Sequence, residues 1–179
     1  MRLLFSMDKK DYDLTGRVFE RPSVRAIIVK DGKLGMVYSE KQGVYRFPGG
    51  GIETGETHEE TLIREVREEA GLLVIPSSIR PYGYVHRIER REKSDDCDVF
   101  IQDNFYYLCQ VEDTTVSQSL DESEKEIGYE LRFVKPKEAL LVNERSGKDT
   151  RWEIPIFRES MVLSMLLKEG MILQFSHGK

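Results

Sequence analysis

Cysteine is scarce in this chain: Cys97 and Cys109 are the only two in 179 residues, and nothing about them has CxxC or other metal-type spacing. That excludes a disulfide-stapled scaffold and a zinc finger, and predicts free thiols in a reducing compartment. Long apolar runs are missing too. Stretches such as residues 26–29 and 161–163 fall far short of the roughly 20 residues that span a bilayer, so no transmembrane segment is predicted. The opening Met1-Arg2-Leu3-Leu4-Phe5 is poorer in apolar residues than the stretch of about 7–15 in a signal peptide, and the cytoplasm is the expected compartment. There are no internal repeats and no low-complexity linkers. A single domain over residues 1–179 is expected, with a core at about 20–145 and a C-terminal helix at about 152–168. Nor is there an excess of positive charge. With 27 Lys and Arg against 32 Asp and Glu, the net charge of −5 gives no general attraction for nucleic acid or an anionic membrane. Any phosphate-bearing partner must be held locally.

What the chain does have is pattern. Residues 24–30 (VRAIIVK) are β-branched and apolar and meet Asp31-Gly32, a type I′ hairpin signal, so residues 33–38 should be the antiparallel partner. A short strand at 45–47 ends at Pro48 and three glycines, Gly49, Gly50 and Gly51, the strongest loop signal in the chain. Thr57 with Glu60 reads as a capping box and Gly71 as a left-handed stop, which predicts a helix over residues 57–70. On its wheel Leu62, Ile63, Val66 and Ala70 share one stripe, and Glu65, Glu68 and Glu69 share the adjoining face. Strands are expected at 79–87, 100–111 and 129–134, with a solvated charged loop at 89–98 containing Arg90, Arg91 and Lys93. A short helix near 136–141 and an apolar-striped one at 154–167 follow, with Trp152 anchoring the start of the latter. This order predicts an α/β fold, an α/β/α sandwich with a mixed, mostly antiparallel sheet between helices.

Chemistry concentrates where the glycines meet the helix. Glu65, Glu68 and Glu69 stand at i, i+3 and i+4, so their carboxylates should converge on one patch. Such a patch suits a hard divalent cation. Mg²⁺ takes oxygen ligands and keeps positions open for a phosphate, and Mn²⁺ is a substitute of the same chemistry. A glycine run lets backbone groups approach metal or phosphate closely. An acidic, solvated helix face is the bland alternative, but it gives no reason for three glycines and Glu56 at fixed distances upstream.

Residues 50–72 read GGIETGETHEETLIREVREEAGL. This segment resembles the Nudix hydrolase box at every specified position: Gly50, Glu56, Arg64, Glu65, Val66, Glu68, Glu69, Gly71 and Leu72. The resemblance implies a Nudix-like sandwich over most of residues 24–141. It further implies that Glu65, Glu68 and Glu69 bind metal, that the Gly49 carbonyl joins them, and that one glutamate serves as base. Arg64 is expected to orient the cluster by holding a carboxylate such as Glu56 in its fork. A further acid is expected from the segment 121–126, with Glu126 the first choice and Glu122 and Glu124 behind it. Arg25 and Arg46, on strands leading to the glycine loop, are candidates for phosphate contact.

The implied reaction is attack of an activated water on a phosphorus of a nucleoside diphosphate linked to another group. Substrate choice lies outside the box. No Pro stands about 16 residues after it, where the resemblance places the ADP-ribose mark. Tyr82 and Tyr84 come too early for the diadenosine polyphosphate mark, and a coenzyme A mark is absent. A nucleoside triphosphate or related small nucleotide is therefore the default. A nucleotide-sensing module without hydrolysis and an RNA 5′-end pyrophosphohydrolase are the alternatives. No membrane partner is expected, nucleic acid is disfavoured, and a homodimer is compatible with the resemblance. Tyr38, Tyr45, Phe47, Tyr106 and Tyr107 are either core or base-stacking residues, with core favoured. His86 is expected to be a polar strand residue.

Overall fold

A computed structural model of the chain describes residues 1–91, 98–146, 153–172 and 175. Its centre is an eight-stranded mixed sheet. In it β3 (Ser23–Lys30) lies between β4 (Lys33–Ser39), antiparallel, and β8 (Val99–Cys109), parallel. Asp31 and Gly32, both at positive φ, make the tight turn between β3 and β4. Beyond β8 lies β7 (Arg80–Arg90), antiparallel to it, and then β1 (Leu3–Asp8), parallel to β7. On the other side β10 (Tyr129–Val134) and β5 (Val44–Arg46) both pair antiparallel with β4, while β2 (Val18–Glu20) pairs parallel with β8.

The period-2 alternation of β3 divides the core into two layers. Val24, Ala26 and Ile28 face α1 (His58–Ala70) and pack with Leu62, Val66 and Ala70. Ile27 and Val29 face the opposite way, toward α3 (Pro136–Ser146) and α4 (Glu153–Glu169), and pack with Ala139, Val162, Leu163 and Leu166. The expected sandwich is therefore present, with α1 on one face and α3 and α4 on the other. Among the described residues no helix is long and apolar enough to cross a membrane.

Both ends of α1 form as the sequence predicts. Thr57 accepts the Glu60 N–H while the Glu60 carboxylate accepts the Thr57 N–H, and Gly71 closes the helix at φ 64°. Its last carbonyls are satisfied from the segment 116–119: Ser119 N–H donates to Glu68 O at 2.9 Å, and the Gln118 amide donates to Glu69 O.

Several expectations need correction. The strand expected at 100–111 is two, β8 and β9 (Val111–Thr115), and β9 leaves the main sheet to pair with β6 (Leu72–Val74). The break falls at Gln110, whose backbone is taken by Ser78 Oγ and by the Ile75 N–H. The segment 121–126, from which a further acid is expected, forms a helix, α2 (Glu122–Ile127), capped by an Asp121/Glu124 box and by Gly128 in the left-handed region. The edge strands β1 and β2 had no forecast, and α3 runs past Leu141 to Ser146. Cys109 is a buried free thiol, its pKa pushed up to about 12 by burial. Cys97, Lys93 and Trp152 lie outside the described residues.

Leu62 is wholly buried at the centre of the α1 layer. Leu62→Ala should cost about 2–5 kcal/mol, the range for a large-to-small change in a packed core, read by chemical denaturation. A loss under about 1 kcal/mol would mean that α1 does not carry the packing assigned to it.

Candidate functional site

The glycine loop reaches the helix because it is itself paired to the sheet. Ala26 N–H donates to Pro48 O at 2.8 Å, Val24 N–H to Gly50 O at 3.0 Å, and Ile52 N–H to Pro22 O at 3.1 Å. Gly49 sits at φ 142°, and a Cβ there would lie 2.1 Å from Val24 O, so no side chain fits. At Gly50 a Cβ would meet Glu65 Oε1 at 2.3 Å. The bare backbone is what lets the Glu65 carboxylate lie against the loop.

Each acid of α1 has its own partner. Gly49 N–H donates to Glu69 Oε2 at 2.8 Å. Arg64 holds Glu56 in a fork, Nε to Oε1 at 2.7 Å and Nη2 to Oε2 at 2.8 Å. Its Nη1 also donates to Glu65 Oε1 at 2.7 Å and to Glu68 Oε2 at 3.3 Å. The fork expected between Arg64 and Glu56 is formed. Hydrogen bonds from Arg64 and then Thr61 pull Glu56 down to a pKa of about 2, and the bond to Glu56 pushes Arg64 further up. Burial pushes the Glu69 carboxyl up to about 8, against the opposing pull of Arg25 and of the Gly49 N–H. Burial also raises Glu65.

These pairings correct one expectation. Glu65, Glu68 and Glu69 share a helix face but do not converge into a cage; among the described residues no three His, Cys, Asp or Glu side chains are grouped around a cation position. Arg64 draws Glu65 and Glu68 toward its guanidinium while Glu69 is turned onto Gly49. The donor set nonetheless fits a hard divalent cation. Every candidate ligand is oxygen, Glu65 rests on a loop that a Cβ would obstruct, and Glu69 is a buried carboxyl whose ionisation a cation would favour.

Above Gly49 and Glu69 opens a cleft of ≈ 210 Å³ that brings together three arginines, Arg21, Arg25 and Arg46, with Glu124 and Tyr129. Arg25 donates to Gly49 O, and its Nε is buried with no partner. Arg46 Nη1 donates to Tyr129 Oη at 2.5 Å. The candidate phosphate contacts Arg25 and Arg46 thus meet Gly49, Gly50 and Gly51 in one place. A larger groove of ≈ 660 Å³ runs along the outer side of α1, reaching Arg64 and Glu68. It does not include the glycine loop; the smaller cleft is the one that brings Gly49, Gly50 and Gly51 together with Glu69 and the three arginines.

Glu126 is a second correction. Its side chain is 77% exposed and pairs with Lys41 at 3.3 Å, away from the cleft. Glu124, two residues earlier on α2, lines the cleft instead. Arg21 was missed: it lies in the two-residue link between β2 and β3, where no strand alternation signals which way it faces. Of the aromatic candidates, Phe47 and Tyr106 are fully buried and packed edge to face at 5.7 Å, and Tyr45 is buried beside them. Tyr38 packs against Tyr45 with the rings tilted at 52°, and Tyr107 bonds His58 Nδ1 at 2.8 Å. Tyr129 is the aromatic that lines the cleft. His86 meets Asp103 across the β7/β8 pair at 2.8 Å, a strand contact as expected.

An acid whose folded-state pKa is raised contributes stability that is fully present below its unfolded value and is lost as pH rises through the folded value. For Glu69 the ordinary value is 4.5 and the folded one about 8. In chelator, stability should therefore fall between about pH 4.5 and pH 8, and Glu69→Gln should flatten that fall. Thermal midpoints across the range check this, and equal slopes in parent and variant would remove Glu69 as the source.

The NUDIX domain family model matches residues 20–155. An ADP-ribose pyrophosphatase of Methanocaldococcus jannaschii is 35% identical over 77 residues, 40% of this chain and 43% of that protein. The nucleoside triphosphatase NudI of Salmonella schwarzengrund is 34% identical over 99 residues, 55% of this chain and 67% of that protein. The first of these matches, like several others, spans less than half of the relative's length. Among solved structures, a NUDIX hydrolase from Nitrosomonas europaea superposes with a TM-score of 0.53 at 19% identity, covering 79% of this chain and 88% of that one, a likeness of fold.

Proposed function

This chain belongs to the NUDIX family, and from that membership and the cleft we propose that it is a divalent-metal-dependent pyrophosphohydrolase acting on a nucleoside triphosphate or a related small nucleotide. The observation that carries the reading is the meeting of opposite charges: the acidic face of α1 reaches, through Gly49 and Glu69, into a cleft lined by Arg21, Arg25 and Arg46. Anhydride phosphates need cationic groups, and metal binding needs carboxylates within reach of the same phosphorus. Relatives named for ADP-ribose, CTP and nucleoside triphosphates support the small-nucleotide class. The missing Pro after the box speaks against ADP-ribose as the first choice.

In this reading Glu65, Glu68 and Glu69 hold the cation, with Gly49 O and Glu124 the further oxygen donors at hand. When bound, Mg²⁺ supplies a water of lowered pKa and neutralises charge on the leaving oxygens. Arg21, Arg25 and Arg46 bind and orient the phosphates. Arg64 and Glu56 touch no substrate atom; they fix the rotamers of Glu65 and Glu68.

A screen of nucleotides with Mg²⁺ and Mn²⁺ should reveal turnover that excess chelator abolishes. Glu68→Gln and Glu69→Gln should each lower it by at least about 100-fold without unfolding the chain. Full activity in both variants, or in chelator, would refute the assignment. Glu124→Gln should raise the metal concentration needed for half-maximal turnover, whereas Glu126→Gln should leave it unchanged.

A further inference from the structure

We propose that Arg158 and Glu159, consecutive on α4 and buried beneath the cleft, are positioning residues that hold the two flanks of the glycine loop and thereby set where Gly49 and Arg25 stand. Both are almost wholly removed from solvent, at 2% and 1% exposure, on a helix whose neighbouring buried positions, Val162, Leu163 and Leu166, are apolar. Their partners lie on either side of the loop. Glu159 Oε2 accepts the N–H of Phe47 at 3.3 Å, immediately before Pro48. Its other oxygen accepts from Arg158 Nη2 at 2.7 Å and Nε at 3.3 Å. Arg158 Nη1 donates to Asn104 Oδ1 at 2.5 Å, and the same oxygen accepts the Ser23 hydroxyl at 2.8 Å. Ser23 in turn forms an antiparallel bridge with Gly51. One ion pair thus reaches Phe47 before the loop and Gly51 at its end. Arg25, which donates to Gly49 O, lies within the field of both members.

Stability alone does not account for such a pair. Taking two charges out of water is costly enough that well-packed apolar residues of similar volume often serve a core as well or better. An apolar pair would fit the stripe of α4. It could neither accept the Phe47 N–H, which lies past the end of β5, nor orient Asn104 toward Ser23. The pair is accordingly tied to where the loop sits, and the loop carries Gly49.

The test uses the full chain with Arg158→Met and Glu159→Met combined, so that neither charge is left buried alone. Hydrogen exchange is read at Val24 and Ala26, whose N–H groups bond Gly50 O and Pro48 O, and at β7 as the internal reference. Mn²⁺ alone is the metal probe. Exchange at Val24 and Ala26 should quicken by about tenfold while β7 keeps its rates, and Mn²⁺ should bind about tenfold more weakly. Both readouts stand without any turnover. Only a third, a fall in kcat larger than any change in KM, rests on the proposed hydrolase reading. Exchange that rises equally in β7, or that stays unchanged together with Mn²⁺ affinity, would overturn the positioning role. If the double variant does not fold, Ser23→Ala decides. It cuts the chain beyond Asn104, so faster exchange at Val24 with weaker Mn²⁺ binding supports the proposal, and parental values of both overturn it. Should the parent itself bind no Mn²⁺, the metal reading fails and the exchange data alone judge the pair.

Discussion

Val24 and Ala26 donate their N–H groups to the carbonyls of Gly50 and Pro48, and this pairing limits how near the acids of α1 come to the sheet. The loop can run so close only without a Cβ at Gly49, which would stand 2.1 Å from Val24 O. Once the loop is seated, Gly49 N–H points at Glu69, and the bare Gly50 leaves room for Glu65. Seating the helix is a separate matter of burial. Leu62 and Val66 are wholly buried and contribute roughly 1.5–3 kcal/mol each. Backbone pairing therefore fixes the loop, apolar packing fixes the helix, and the site is where the two meet.

Charge is managed within that frame by a guanidinium rather than by distance. Two carboxylates about 6 Å apart repel by up to roughly 3 kcal/mol at an effective dielectric near 20, and by less where water screens them. Arg64 contacts three acids at once, Glu56 through a two-point fork and Glu65 and Glu68 through Nη1. Glu69 is left outside this arrangement, buried and facing Arg25. The consequence is an uneven set of acids. Glu56 is held firmly ionised, whereas Glu69 takes up a proton readily unless a cation is near.

Local signals of this architecture were legible wherever a short stretch specifies its own geometry. The Thr57/Glu60 box, the Gly71 stop and the Asp31-Gly32 turn all depend on neighbours in sequence, and all three form. The same grammar was present and passed over at α2, where Asp121, Glu124 and Gly128 repeat the pattern of α1. On that helix Glu124 and Glu126, two residues apart, lie on nearly opposite faces, so Glu124 lines the cleft while Glu126 pairs with Lys41. The break at Gln110 was not legible, since it is imposed by Ser78 and Ile75 from a distant turn. The parallel pairing of β1 with β7 is likewise a long-range contact that alternation along a strand cannot reveal.

The buried pair on α4 shows where pattern reading has unused reach. Residues 158, 159, 162, 163 and 166 follow helical spacing and form one buried stripe. A search for apolar stripes accepts the last three and treats the first two as a break in the pattern. Yet an Arg and a Glu at consecutive core positions are the more informative residues, because burying them requires partners. Those partners, Phe47 N–H and Asn104, lie far along the chain, so the sequence can flag the demand without naming who meets it. What meets it here is the backbone beside the glycine loop, which joins the C-terminal helix to the same constraint that governs Gly49.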